Sequence, residues 1–269
     1  MRRGDLWTLA WNGQVEGHVL IAAIKDGFIL GWPVTLPGEL SFSPGMLFQD
    51  VRGEMLTVWP TKETGLGLHL LGQPLGQLLD VRTIRSIAAS LDDGAAPEGV
   101  MAPPMQESDG RAEEVLAQMT KHWASLCFHT GRSSADEIFL DREKVSQLGG
   151  NARQISGLLE LTAAQTRSLW DGEVPLQPEA VVVLTEHYNV EEQNLTQTDP
   201  AQSWWDRLAS PAFKQQVEDA CRRRHVSEGD VRSEVVRSAY ALAARQDGDR
   251  LADQKLRDAI QRTASATFD

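Results

Sequence analysis

Side chains that could hydrogen-bond to nucleic-acid bases are grouped within residues 162–168. Gln165 can form two hydrogen bonds with adenine, and Arg167 can do the same with guanine, which is how side chains distinguish base pairs in the DNA major groove. Small residues surround them, so a helix that carries them could approach the base edges closely. The predicted DNA-contacting residues are Thr162, Ala163, Ala164, Gln165, Arg167 and Ser168, with Arg153 from the preceding helix.

Two short amphipathic helices joined by a tight turn would position these side chains. Asn151 and Thr162 predict the two N-caps, since their side-chain oxygens can accept backbone N–H groups that have no helical partner. Gly172 predicts the end of the second helix, because glycine tolerates the left-handed conformation found there. In a helix-turn-helix arrangement the second helix reads bases and the first contacts the DNA backbone. The predicted core residues of the pair are Ile155, Leu158, Leu159, Thr166 and Leu169.

Residues 137–196 resemble the lambda-repressor-like (Xre-type) helix-turn-helix family. The resemblance covers NARQISGLLELTAAQTRSLWDG at residues 151–172 and PLQPEAVVVLTEHYNVEEQNL at residues 175–195. Trp170 departs from it, because that family has glutamate at this position. The resemblance implies a bacterial transcriptional regulator that binds specific sequences of double-stranded DNA, and a plain helical hairpin in a bundle is the alternative. The core of its later part is expected from Leu176, Ala180, Val183, Leu184, Tyr188 and Val190.

Charge bears on how such a segment would bind. The chain has a formal net charge of −12, and residues 141–172 hold four basic and four acidic side chains. Because neutralisation of phosphates supplies much of DNA affinity, one copy should bind weakly. A homodimer on two half-sites would double the contacts. Its interface is expected from a C-terminal apolar stripe of Val231, Val235, Ala239 and Leu242.

The N-terminal part predicts strands. Short apolar runs (LWTLAW, GHVLIAAI, FILGWPVTL, MLTVWPT and LGLHLL) are separated by Gly-rich or polar pieces. Asp26-Gly27 between two of these runs is typical of a β-hairpin. The fold class predicted for the whole chain is therefore α+β and multidomain, with a small SH3-like N-terminal β-barrel, a central all-α helix-turn-helix domain and C-terminal helices.

The opening run RRGDLWTLAW, followed by GHVLIAAI and FILGWPVTL, resembles the MazF/PemK-type toxin barrel. The resemblance places Pro33 in that family's turn and Thr35 near its RNA-cleaving site. The family's catalytic arginine follows the second strand, where this chain has Lys25-Asp26-Gly27, and its Asp-Gln-aliphatic-Arg strand is also lacking. We therefore expect no catalytic residue and no enzyme activity. The acid–base and cationic side chains of the region, which show no recognisable spacing, are His18, His69, Arg52 and Lys62.

The predicted domain organisation has four parts: a barrel at 1–91, an acidic Pro/Gly linker at 92–110, a helical domain with the helix-turn-helix at 111–199 and a helical region at 200–269. The two cysteines are far apart in the sequence, no cluster of side chains has metal-ligand spacing, and there is no Gly-rich phosphate loop. We therefore expect no disulfide, no metal and no cofactor. No apolar run is long enough to span a membrane, so a cytoplasmic location is expected. The sequence does not indicate which small molecule or protein the predicted barrel would bind.

Two other functions stay open from the sequence. One is a MazF/PemK-type endoribonuclease toxin barrel fused to a regulatory DNA-binding domain. The other is a scaffold that reuses the helix-turn-helix fold for contacts with proteins. The basic run at residues 222–225 is also open to two interpretations, charge balance at a helix C-terminus or contact with phosphates.

Overall fold

The computed structural model describes residues 1–39, 41–95, 97, 100–103, 111–132, 137–243 and 252–265. It is an α+β protein in which an antiparallel β-sheet precedes a mostly helical region. None of the helices that it describes has the length and apolar character needed to span a bilayer.

Seven antiparallel strands form the N-terminal sheet. They are β1 (Asp5–Trp11), β2 (Gln14–Ile24), β3 (Phe28–Thr35), β4 (Met46–Gln49), β5 (Met55–Val58), β6 (Thr64–Gly67) and β7 (Leu71–Gln77). Neighbouring strands follow the order β4-β5-β3-β2-β1-β7, and β6 also pairs with β3. The order ends at β4 and β7, so the described strands form no closed barrel.

Two tight turns set the register of the central strands. Asn12 and Gly13 connect β1 to β2, and both have positive φ angles, 51° and 73°. This is the backbone of the hairpin turns whose twist matches that of the strands. Asp26-Gly27 connects β2 to β3, where the Lys25 N–H donates to the Phe28 carbonyl at 2.9 Å. The predicted hairpin is confirmed.

Both faces of the sheet are covered, because successive residues of a strand point to opposite sides. From β2, Leu20 packs in one apolar cluster with Ile84 and Ile87 of α1 (Val81–Asp92). Ile21 packs in a second cluster with Trp123 and Leu126 of α2 (Arg111–Cys127). A strand buried on both faces reads as a continuous apolar run, which is what GHVLIAAI shows.

The rest of the chain is mostly helical. Its helices are α3 (Arg142–Gln147), α4 (Ala152–Leu158), α5 (Ala163–Trp170), α6 (Pro178–Tyr188), α7 (Gln202–Leu208), α8 (Lys214–Arg224), α9 (Glu228–Ala243) and α10 (Ala252–Ser265). Two short strands, β8 (Phe139–Leu140) and β9 (Thr196–Gln197), pair antiparallel. Short 3₁₀ helices cover Pro60–Lys62, Leu68–Leu70, Glu192–Asn194 and Pro211–Phe213.

Contacts divide the chain into two compact units. Unit 1 contains residues 1–131 and 209–219, and unit 2 contains residues 132–208 and 220–269. The predicted helical domain begins at residue 111, whereas α2 makes its contacts within unit 1. The predicted linker includes residues 104–110, which lie outside the described residues. Its described part contacts the sheet, since the Leu47 N–H donates to the Met101 carbonyl at 2.8 Å and Pro103 is buried.

The C-terminal stripe expected as a subunit interface is part of the chain's own core. Val231, Val235 and Ala239 are fully buried within α9, which packs against α7 and α10. Leu242 is half-buried. The stripe therefore cannot serve as an exposed dimer surface, because its side chains already have partners in the same chain.

Candidate nucleic-acid interface

The helices α4 and α5 form the predicted pair, and residues 159–162 make the turn between them. The Asn151 side chain caps α4 by accepting the Gln154 N–H at 3.1 Å, and Thr162 caps α5 by accepting the Gln165 N–H at 3.3 Å. Both N-caps are confirmed. Gly172 follows the end of α5 with φ +70°, as its sequence position predicts.

The inner faces of the two helices lie in one apolar cluster. Ile155 of α4 is fully buried, and Leu169 of α5 packs in the same cluster. Thr166 is also buried, and its hydroxyl donates to the Thr162 carbonyl at 2.8 Å. Burial of this face fixes which side chains of α5 are left on the outside.

One core assignment from the sequence is wrong. Val183 was expected in the core of α6, but it is 38% exposed, and Val181 is buried instead. Leu176 and Leu184 are buried as expected, while Ala180, Tyr188 and Val190 are partly buried against the same cluster. Three consecutive valines at 181–183 allow either of two helical faces to be apolar, so the sequence pattern alone did not select the right one.

Six of the predicted DNA-contacting residues are exposed and one is half-buried. Ser168 is the half-buried residue, and its hydroxyl donates to the Glu173 carboxylate at 3.0 Å. The structure therefore leaves most of the set accessible to solvent, and five of the seven residues belong to α5. The exposed residues are Arg153, Thr162, Ala163, Ala164, Gln165 and Arg167.

Gln165 already uses its side-chain oxygen within the helix. The Gln165 Oε1 atom accepts hydrogen bonds from the Thr162 N–H at 3.0 Å and from the Thr162 hydroxyl at 2.9 Å. Together with the cap described above, this is a capping box. Pairing with adenine needs both the oxygen and the nitrogen of the glutamine amide. Gln165 would have to give up its cap to read a base.

Arg167 is exposed, with 75% of its side chain accessible. Its Nε atom lies 3.6 Å from the Asp171 carboxylate, which also lies 3.9 Å from Arg142. Exposed ion pairs of this kind contribute at most about 1 kcal/mol, so Arg167 can exchange Asp171 for another acceptor at little cost.

Arg153 lies in the first turn of α4 and is exposed. No hydrogen bond or ion pair of its side chain is found among the described residues. A guanidinium at the start of the first helix is suited to a phosphate of the DNA backbone, which is where the first helix of this motif makes its contacts.

Contacts within unit 2 hold the end of α5 in place. The Tyr240 hydroxyl of α9 donates to the Asp171 carbonyl at 3.2 Å, and burial raises the pKa of Tyr240. Sequence reasoning did not find this contact, because nothing in the pattern of α9 indicates which turn it faces.

In the N-terminal sheet, His18 and Arg52 line one cleft of about 320 Å³, with Asp50 and Glu54 among its other side chains. Burial lowers the pKa of His18, and nearby Glu39 partly opposes this effect. His18 comes from β2 and Arg52 from the turn between β4 and β5, so their proximity depends on strand pairing and left no signal in the sequence spacing.

The other side chains predicted for that region lie elsewhere in unit 1. Thr35 accepts a hydrogen bond from the Trp59 indole at 3.2 Å, and neither Thr35 nor Lys62 lines the cleft. His69 is buried, and its Nε2 atom lies 3.1 Å from Nδ1 of His129. Within the described ranges, no group of three His, Cys, Asp or Glu side chains is arranged to hold a metal ion.

Comparisons of the chain with family models, with curated proteins and with solved structures found no match.

Proposed function

We propose that the protein is a sequence-specific regulator that binds double-stranded DNA through α4 and α5. The carrying observation is that α5 exposes Ala163, Ala164 and Arg167 on the face opposite the buried Thr166 and Leu169. A short helix with small side chains beside a guanidinium fits the major groove, which is about 12 Å wide. The N-terminal antiparallel sheet, whose described strands form no closed barrel, would be the sensing or interaction part.

Two arginines have separate roles in this proposal. Arg167 reads a base, guanine being the partner that a guanidinium can bind through two hydrogen bonds. Arg153 binds a backbone phosphate and positions α5. Gln165 contributes as a helix cap, since its oxygen is already bonded to Thr162.

The acidic chain makes a homodimer on two half-sites the expected form of the complex, for the reason of charge given above. The interface would be a surface other than the buried stripe of α9. A dimer would place two copies of α5 on the DNA and double the few phosphate contacts that one copy can make.

Selection from a random DNA duplex library with the full chain tests the proposal. We expect enrichment of a related set of sequences that contain G·C pairs. Arg167→Ala should weaken binding of the selected duplex roughly 5- to 150-fold, which corresponds to about 1–3 kcal/mol for one base contact. Arg207→Ala is the matched control, because Arg207 is exposed on α7, and should leave the affinity unchanged. Failure to enrich any sequence, or an unchanged affinity of Arg167→Ala, contradicts the assignment.

The cleft of unit 1 supports a second candidate function, cleavage of RNA. His18 could act as an acid or base and Arg52 could bind a phosphate, which are the two roles that such a reaction needs. Asp50 and Glu54 line the same cleft and would repel a phosphate, so we rank this function second and expect no nuclease activity. The test is incubation of the full chain with long single-stranded RNA. Cleavage that disappears in His18→Ala would overturn this ranking.

A further inference from the structure

An apolar groove lies beside α5, the helix proposed to contact bases, in unit 2. It has a volume of about 970 Å³ and lies between the end of α4, one side of α5, residues 174–177 and the first turns of α6. This volume is at the upper end of the range of roughly 300–1,000 Å³ found for ligand pockets. More than half of its lining residues are apolar, among them Leu158, Leu159, Leu161, Val174, Pro175 and Val183.

One wall of the groove continues into an exposed apolar strip on α6. Val182 is 54% exposed and Val183 is 38% exposed, and both are β-branched residues that lower the stability of a helix slightly. Glu179 and Glu186 lie three or four residues to either side of these valines, on the same helical face, and both are exposed. The exposed face of α6 is thus apolar in the middle and negatively charged at its ends.

The rim of the groove carries uncompensated negative charge. Glu160 and Glu179 both line it, and the described residues provide no ion pair or hydrogen bond for either carboxylate. The rim also includes Arg237, but its guanidinium is bound to Glu137 at 2.8 Å. The net charge of the rim is therefore negative, and an occupant with basic side chains would complement it.

We propose that this groove binds an amphipathic segment of a partner protein, with apolar side chains at helical spacing and Lys or Arg beside them. A helix laid into an apolar groove is a common mode of peptide recognition, and its anchors lie at i, i+3, i+4 and i+7. DNA does not fit this surface, because phosphates would face Glu160 and Glu179. The formal net charge of −12 disfavours a second copy of this chain as the occupant of a negatively charged groove.

The groove shares Ala164, Gln165 and Ser168 with the surface assigned to DNA, so a bound partner segment would lie beside α5. The proposal does not depend on DNA binding. Arg167 and Arg153 do not line the groove, and Val183 is absent from the DNA-contacting set, so each binding activity can be removed without the other.

The test is titration of the full chain with a fluorescein-labelled 18-residue synthetic helix that has Leu at i, i+3, i+4 and i+7 and Lys at its other positions. A helix with Glu in place of every Lys serves as the charge control. We expect the Lys peptide to bind and the Glu peptide to bind at least tenfold more weakly. Val183→Asp should weaken binding of the Lys peptide at least tenfold. Val51→Asp is its matched control, because Val51 is an exposed valine of unit 1, and should change the affinity less than twofold.

A pair of charge-matched double variants separates the rim from overall charge. The double variant Glu160→Lys, Glu179→Lys should bind the Lys peptide at least tenfold more weakly. The double variant Glu113→Lys, Glu114→Lys on α2 should change the affinity for this peptide less than threefold. Equal losses in the two double variants would overturn the proposal, as would an unchanged affinity of Val183→Asp. A change of molecular mass for Val183→Asp in light scattering would show that the groove holds a second copy and would also overturn it. Loss of the selected DNA duplex in Arg167→Ala with retained peptide binding supports two separate activities.

Discussion

At the scale of single residues, we expect the buried pair of Arg232 and Glu228 to have a large effect on stability. The two charged groups lie 2.9 Å apart, with 2% and 0% of their side chains exposed, and Arg232 also donates to the Leu208 carbonyl at 3.0 Å. Glu228→Ala leaves a buried guanidinium without its carboxylate, which typically costs about 3–5 kcal/mol. We expect urea unfolding of the full chain to show a loss of this size in the free energy of unfolding.

An exposed pair in the same unit is the control for this prediction. Arg207 and Asp253 lie 3.9 Å apart and are 49% and 60% exposed. Asp253→Ala should therefore lower the free energy of unfolding by no more than about 1 kcal/mol. Similar losses in the two alanine variants would show that burial does not distinguish these pairs.

The pKa of His18 predicts a dependence of stability on pH. Burial lowers this pKa in the folded protein, so the unfolded chain takes up a proton at His18 more readily. The contribution of neutral His18 is complete above about pH 6.5, the ordinary histidine pKa, and is lost as the pH falls towards the lower folded pKa. Between pH 6.5 and 5, the free energy of unfolding should fall less steeply in His18→Gln than in the wild type. Equal slopes would be evidence against the burial effect.

At the scale of secondary-structure elements, variants of the α5 cap distinguish a role of Gln165 in stability from a role in base recognition. Gln165→Glu preserves the capping box, since glutamate is the other residue used at this position, whereas Thr162→Ala removes it. Thr162→Ala should lower the free energy of unfolding by about 0.5–2 kcal/mol, and Gln165→Glu should leave it nearly unchanged. If Gln165 contacts adenine, Gln165→Glu will no longer bind the selected duplex, while its thermal denaturation midpoint stays the same. Retained duplex binding is the result that our assignment of Gln165 as a cap predicts.

The elements themselves show how far the sequence can be read. β1, β2, β3 and both hairpin turns were predictable, because their apolar runs are long and their turns contain Asn-Gly or Asp-Gly. β7 was not, since Pro74 and two glycines resemble a loop. A proline is tolerated there because β7 lies at the end of the strand order and pairs with β1 alone. Leu68–Leu70 was expected as a strand and is a 3₁₀ helix.

The candidate site, like the fold, could be predicted from the sequence only in part. Its two caps and the buried positions of α5 could be predicted from local spacing, because they depend on residues within one helical turn. The use of the Gln165 oxygen, the contact of Tyr240 with Asp171 and the exposure of Val183 depend on rotamers and tertiary packing. Such features carry no periodic signal along the chain.

At the scale of the whole molecule, unit 1 needs a second segment of the chain. Lys214 is 3% exposed, and its ammonium group donates to the carbonyls of Ala10 at 2.7 Å and His69 at 3.2 Å. Phe213 is buried beside it in sequence. We expect a polypeptide of residues 1–131 to unfold at a lower temperature than the same polypeptide joined through a Gly/Ser linker to residues 209–219. Equal midpoints in circular dichroism would show that the second segment is dispensable.

The division of unit 1 into two segments also affects its synthesis on the ribosome. The first segment ends at residue 131, but its partner segment ends at residue 219. Translation of the intervening roughly 90 residues takes about 4–18 s at the usual rate of about 5–20 residues per second. For most of this interval the nascent sheet lacks Lys214, whose ammonium group binds the Ala10 and His69 carbonyls in the folded protein. Unit 1 therefore stays incomplete during synthesis for a time set by the length of the segment 132–208 of unit 2.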